Sequence, residues 1–146
     1  MKIYKNVELW HHMQENPQMH FFLNVANVGE LISELTCESI WEGCESIAVD
    51  LLPDGWWCVK LKKDWITPLN VQKYFHSFIK LDTGIVSGTG RVGIKLGAFT
   101  TDLTFVNQTD NSFVIKGKAH CKIELKDFSC CILFRMKNNK RRPLLL

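Results

Sequence analysis

Three glycines in the stretch SGTGRVG have a spacing that could do chemistry. Gly88, Gly90 and Gly93 satisfy the pattern G-x-G-x-x-G, in which glycines let the backbone approach a pyrophosphate at a helix N-terminus. Such a loop must lead into a helix, because the helix N-terminus holds the anion. The residues that follow, IKLGAFTTDLTFV, alternate like strands. We therefore interpret the glycines as a turn, bulge or strand edge, and we predict no nucleotide and no other cofactor.

Histidines are the second set of residues that could do chemistry. There are five of them, and their spacings to each other and to the cysteines match no metal-binding motif, so we predict no bound metal. Acid–base chemistry stays open as an alternative. His12 and His120, with Lys118, would be the catalytic residues of a small nuclease or hydrolase, because an imidazole titrates near neutral pH. This alternative requires the histidines to converge in one cleft.

Acidic residues recur at helical spacing in the first half of the chain. Glu30, Glu34 and Glu38 are four residues apart, and Glu42 extends the series by one turn. Like charges at this spacing repel each other, so they are tolerated best on a face open to water or facing a basic partner. We therefore name these four glutamates as candidate partner-binding residues, beside the simpler reading of a solvated helix face.

Tryptophans are numerous, with five in 146 residues. Trp56 and Trp57 are neighbours in a predicted strand, so one side chain faces the core and the other faces away. An outward tryptophan is either covered by another element or available to a partner, and buried tryptophan anchors are typical of interface hot spots. Trp56 is our aromatic candidate for partner binding, against the alternative of core packing.

Charge and hydropathy limit the possible surroundings of the protein. The net charge is only +3, which argues against a nucleic-acid binder, although Lys137, Lys140, Arg141 and Arg142 form a basic run that could contact phosphate. Apolar runs fall far short of the ~20 residues of a membrane span, and the first residues contain no signal-peptide stretch. We expect a cytoplasmic protein that does not enter membranes, with its six cysteines reduced.

The elements that must position these residues follow from periodicity and turn signals. Residues 7–15 and 28–36 read as helices, the second with Asn27 and Glu30 as a capping box. A third helix should follow Thr67 and Pro68, with apolar residues from Val71 to Ile79 on one face. Residues 19–25 are rich in β-favouring side chains, and we predict a strand there.

Strands dominate the rest of the prediction. Residues 46–52 and 57–61 alternate on either side of a Pro-Asp-Gly turn, which indicates a β-hairpin. From residue 85 onward the period is two, with strands expected around 92–96, 103–105, 113–115 and 130–136. The fold class predicted is α+β, with a largely antiparallel sheet of about six to seven strands, a strand-rich C-terminal half, and two to three helices mainly from the N-terminal half.

The prediction for the whole chain is a single α+β domain at residues 1–137, followed by a basic and apolar tail at 138–146. Because no catalytic or metal pattern converges, we favour a non-enzymatic protein-binding domain. The best hypothesis is an inhibitor or immunity-type protein that neutralises a partner, such as a toxin or an enzyme. The alternatives are the histidine-dependent nuclease or hydrolase and a nucleic-acid-binding module.

Overall fold

A computed structural model describes residues 6–76, 91–108, 112–120 and 123–136 of the chain. Within these ranges there are four α-helices and five strands. The helices are α1 Asn6–Glu15, α2 Val28–Trp41, α3 Val71–His76 and α4 Arg91–Phe99, and the strands are β1 Ile47–Leu51, β2 Trp57–Leu61, β3 Asp102–Asn107, β4 Ser112–Lys116 and β5 Cys130–Arg135. The α+β class is confirmed, with fewer strands and more helices in this part of the chain than the sequence predicts.

The five strands form one sheet in the order β1-β2-β5-β3-β4, and every neighbouring pair is antiparallel. The predicted hairpin is β1 and β2, with Val49 opposite Val59. Its turn contains Asp54 and Gly55, both at positive φ. Gly adopts this conformation freely, and Asp tolerates it better than most residues do. The predicted antiparallel pairing is therefore confirmed, and β1 and β4 lie at the two edges.

Helices cover one face of the sheet. The main hydrophobic core joins α2, α3 and α4 to the inward side chains of β2, β3 and β5, including Val59, Phe105 and Ile132. A separate cluster packs α1 against α4 through Trp10, Met13 and neighbouring residues. The opposite face of the sheet carries a smaller cluster, which contains Trp56, Cys58, Leu125, Cys131 and Leu133. Adjacent residues of β2 and β5 divide between the two clusters because successive side chains of a strand point to opposite faces.

Helix α2 begins where the sequence predicts and ends later. The Asn27 side chain accepts a hydrogen bond from the backbone N–H of Glu30 at 2.8 Å, which satisfies one of the free donors of the first turn. The helix then continues to Trp41, past the predicted end at residue 36. Glu30, Glu34 and Glu38 therefore do lie on a single helix, and Glu42 is its C-cap residue.

Two predictions in the first half of the chain need correction. Residues 19–25 contain turns after a short 3-10 helix at Pro17–Met19 and are not a strand; the backbone N–H of Phe22 donates to the Glu30 carboxylate at 2.8 Å. A β-favouring composition is overridden here because the segment has no neighbouring strand to pair with. The third helix is present, but it begins at Val71, and its predicted residues Phe78 and Ile79 lie outside the described ranges.

The segment that follows the glycine motif is a helix, which overturns the predicted strand at residues 92–96. Every residue from Val92 to Ala98 is buried, including those between Val92, Ile94 and Leu96. The alternation of these three apolar residues therefore does not indicate a strand with one buried face. A helix buried on all sides shows no polar face from which its period could be recognised. A Cβ atom at Gly93 would collide with the carbonyl oxygen of Tyr74, and one at Gly97 with that of Phe75. These two glycines let α4 pack closely against the end of α3.

Candidate functional site

The glutamates of α2 do share one side of the helix, but that side faces the protein interior over its second half. Glu38 and Glu42 are buried, and Glu30 and Glu34 are partly buried. The expectation of a solvated face is therefore wrong for Glu38 and Glu42. Contact with a partner at these two positions would require the residues that cover them to move, and a partner-binding role for the series stays a prediction.

Glu38 lies where α2, α3 and α4 meet. Its carboxyl accepts a hydrogen bond from the backbone N–H of Val92 in the first turn of α4, and it faces the hydroxyl of Tyr74 on α3. The Tyr74 hydroxyl is fully buried and forms no hydrogen bond of good geometry with the described residues, so its interaction with Glu38 is a weak one. Burial is the largest influence on Glu38 and raises the pKa of its carboxyl from 4.5 to about 7.

Lysines bind Glu34 and Glu42, which precede and follow Glu38 in the series. The Lys95 ammonium on α4 is 2.6 Å from a carboxylate oxygen of Glu34, and Lys95 itself is buried. Lys63 donates to the backbone carbonyl of Glu42 at 2.6 Å, where the last carbonyls of a helix attract cations. The interface between α2 and α4 therefore contains both an ion pair and a buried carboxyl.

The glycine motif lies only in part within the described structure. Gly88 and Gly90 lie outside the described residues, whereas Gly93 lies in the first turn of α4. A helix does follow the motif, so the sequence argument against a nucleotide loop was wrong on this point. The backbone N–H of Val92, at the end of the helix that attracts anions, donates instead to the carboxyl of Glu38. The chain's own carboxyl therefore uses an amide that a phosphate would need.

Trp56 is buried on the sheet face that lies opposite the helices. Its ring packs edge-on against the ring of His120, with centroids 4.9 Å apart, and the Arg135 guanidinium lies 4.9 Å from the Trp56 centroid. Trp57 points to the other face and packs against the main core. Trp56 is thus buried and Trp57 partly buried within the chain, which fits the core-packing alternative of the sequence analysis. A partner-binding role for Trp56 stays a prediction.

The candidate catalytic histidines are on different sides of the molecule. His12 belongs to α1, which packs on the helical layer, whereas His120 contacts Trp56 in the cluster on the opposite face of the sheet. Lys118 is exposed, and its backbone N–H donates to Asp102. The structure does not bring His12 and His120 into one cleft, so the geometry gives no support to the histidine-dependent alternative.

The part of the chain that the structure describes contains neither a cluster of metal-binding side chains nor a membrane-spanning helix. No group of three or more His, Cys, Asp or Glu side chains in it converges as a metal site would require. No helix among the same residues is long and apolar enough to cross a membrane. The basic run Lys137, Lys140, Arg141 and Arg142, which is the candidate nucleic-acid site, lies outside the described residues.

The open edge of β1 is a feature that the sequence analysis did not identify. β1 pairs only with β2, so its other side has no strand neighbour in the described sheet. Val49 is 41% exposed and Leu51 is 61% exposed. Both lie opposite residues of the helix-side core, Val59 and Trp57, so they project from the same face. The sequence predicts this hairpin, but no local signal shows that its first strand is an edge.

The hydrogen bonds that flank β1 show which backbone groups point outward. The N–H of Leu52 bonds to Trp56 and the N–H of Lys62 bonds to Ser46, so these two pairs are of the hydrogen-bonded type. In an antiparallel ladder such pairs alternate with non-hydrogen-bonded ones. The backbone groups of Ile47, Val49 and Leu51 therefore face the open edge, at the same residues that project apolar side chains.

The comparisons with known proteins do not identify a family. No family model matches the chain, and neither a curated protein nor a solved structure shows significant similarity to it.

Proposed function

We propose that this protein is a non-enzymatic protein-binding domain that neutralises a partner protein, and that the partner adds an extended segment to the open edge of β1. The observation that carries the proposal is the coincidence, at Val49 and Leu51, of outward backbone groups and exposed apolar side chains. In strand addition, main-chain hydrogen bonds supply affinity and alternate side chains supply specificity.

The edge of β1 differs from a protected edge. Natural edge strands avoid pairing with other chains by means of inward charges, prolines, bulges or covering loops. β1 pairs with β2 in an unbroken register, and the residues on its projecting apolar face are Ile47, Val49 and Leu51. Its one charged residue, Asp50, projects from the other face of the sheet, opposite Cys58. In the described part of the sheet, this edge is therefore available to an apolar, extended partner segment.

The experiment begins with immobilised protein in a native lysate, followed by identification of any protein captured in stoichiometric amount. The dissociation constant of the purified partner is then measured for the wild type and for Val49→Pro. Proline removes an outward N–H that the β1–β2 ladder does not use, so the hairpin should survive while partner binding weakens at least about tenfold, which is ~1.4 kcal/mol.

Val49→Lys is a second test variant, and Val114→Lys is its matched control, because Val114 is exposed to a similar extent, 47%, on the other edge strand. We expect Val49→Lys to weaken binding and Val114→Lys to leave it unchanged, with the same circular dichroism for all variants. Equal affinity of the partner for the wild type and Val49→Pro would exclude the β1 edge. The neutralising role is tested by the partner's own activity, which should fall as the complex forms.

A further inference from the structure

Glu38 is a carboxyl that three helices enclose. Glu38 lies on α2 and is 6% exposed. Its carboxyl accepts a hydrogen bond from the backbone N–H of Val92 on α4, and it faces the hydroxyl of Tyr74 on α3. Tyr74 itself is fully buried. We propose that protonation of the Glu38 carboxyl controls the contact between α2 and the first turn of α4. The two helices stay together when Glu38 is protonated, and they separate more readily when the proton is lost. This inference is independent of the proposed binding function.

The charged groups around Glu38 are unevenly distributed. Glu34 lies one turn before it on α2, and Glu42 lies one turn after it as the C-cap residue of α2. Both add negative charge near its carboxyl. From α4, the Lys95 ammonium is bound to Glu34 at 2.6 Å. From the segment after β2, Lys63 is bound to the backbone carbonyl of Glu42. The described cations of the junction are thus engaged with the neighbours of Glu38.

The two protonation states of Glu38 have different costs inside the junction. The carboxylate gains from the Val92 N–H, because the first turn of a helix carries partial positive charge. It loses more through burial, and repulsion by Glu42 and Glu34 adds to that loss. The balance raises the pKa of Glu38 from 4.5 to about 7, so the proton is lost within the physiological range.

The direction of the coupling follows from this balance. When the helices separate, Glu38 meets water and returns to its ordinary pKa of 4.5, so opening releases a proton between that value and about 7. Opening therefore becomes easier as the pH rises through this range, and it becomes independent of pH above it. The junction is most tightly held in mildly acidic solution.

The first measurement is an NMR titration of the wild-type protein from about pH 5 to about pH 9, a range that brackets the raised pKa. The side-chain carboxyl carbon of Glu38 and the amide of Val92 should titrate together with a midpoint near 7. In Glu38→Gln, which keeps the shape without the charge, the Val92 amide should lose this transition. In Glu34→Gln, the matched control on the same helix, the transition should remain.

The second measurement is amide hydrogen exchange along α4, expressed as protection factors so that the intrinsic effect of pH is removed. Wild-type protection should fall by up to about tenfold per pH unit as the pH approaches 7 and then level off, whereas Glu38→Gln should show no such slope. The proposal would be overturned if the Glu38 carboxyl titrates below about pH 5.5, or if the Val92 amide signal does not change as Glu38 titrates. If Glu38→Gln does not fold, the wild-type titration decides alone.

Discussion

Two buried carboxyls on opposite faces of the sheet behave in opposite ways. Glu38, on the helical side, and Asp102, at the start of β3 on the other side, are almost equally buried, at 6% and 7% exposure. Burial raises the pKa of Glu38 to about 7. Burial also raises the pKa of Asp102, but hydrogen bonds from the Lys118 N–H and the Arg135 side chain outweigh it, so the pKa of Asp102 is lowered.

The Glu38 carboxyl is the more strongly desolvated of the two, and the two carboxyls also differ in the hydrogen-bond donors that they receive. Asp102 accepts from the Lys118 N–H at 2.6 Å, from the Arg135 guanidinium at 2.9 Å and from the Thr101 hydroxyl at 3.2 Å. Glu38 accepts a hydrogen bond from the Val92 N–H and makes a weak contact with Tyr74. Its charged neighbours are the negative side chains of Glu42 and Glu34. Two carboxyls of similar solvent exposure thus act as a charged group that stabilises the sheet in one place and as a proton-binding group in the other.

The largest effect should come from removing the anchor. Asp102→Ala leaves the partly buried Arg135 without its ion-pair partner and the Lys118 turn without its acceptor. We expect a loss of about 3 kcal/mol in the free energy of unfolding. Urea denaturation measures it, with Asp50→Ala, which removes an exposed aspartate from β1, as a nearly neutral control. A loss below about 0.5 kcal/mol would show that the anchor does not stabilise this end of the sheet.

The second effect is the pH dependence of stability. Glu38 has a raised pKa in the folded state, so its contribution is fully present below pH 4.5 and is lost as the pH rises to about 7. We expect the free energy of unfolding to fall by about 2–3 kcal/mol over this interval in the wild type. The lowered pKa of Asp102 acts only below its ordinary value of 3.8, outside the interval. Chemical denaturation at several pH values should show a much smaller slope for Glu38→Gln, and an unchanged slope would contradict the assignment.

The third effect tests the close packing that encloses Glu38. Gly93→Ala places a methyl group against the Tyr74 carbonyl oxygen, which is backbone and cannot rotate away. We expect a loss of about 2 kcal/mol in thermal or urea denaturation, more than the gain in helix propensity. Gly29→Ala is the matched control, since its nearest contact is an ordinary 3.7 Å from the Asn27 side chain. Equal stability of the two variants would mean that α4 does not need a glycine at this position.

Local patterns were sufficient for part of the structure. The Pro-Asp-Gly turn between two alternating runs predicted the β1–β2 hairpin, and Asn27 followed by Glu30 predicted the start of α2. These signals succeed because turn and cap preferences depend on a few adjacent residues. The strand predicted at 92–96 failed because α4 is buried on every side, which erases the amphipathic period that would have identified a helix.

The sequence predicted less about the candidate sites than about the fold. The spacing of Glu30, Glu34 and Glu38 predicted their alignment correctly, but spacing does not say whether that side meets water or another helix. The sequence likewise placed Trp56 and Trp57 on opposite faces without showing that Trp56 is buried and Trp57 partly buried. The open edge of β1 depends on the order of strands in the sheet, and the order is fixed by contacts between residues far apart in the chain.

The sequence by itself determined the α+β class, the antiparallel hairpin and the single helical face of glutamates, because each follows from short-range periodicity and turn chemistry. Only the tertiary structure decided that α3 and α4 cover Glu38, that Arg135 reaches Asp102, and that β1 is an edge strand of the described sheet. The physical reason is that burial and charge environment arise from long-range packing. The same carboxyl chemistry therefore acquires opposite properties at two positions in one small domain.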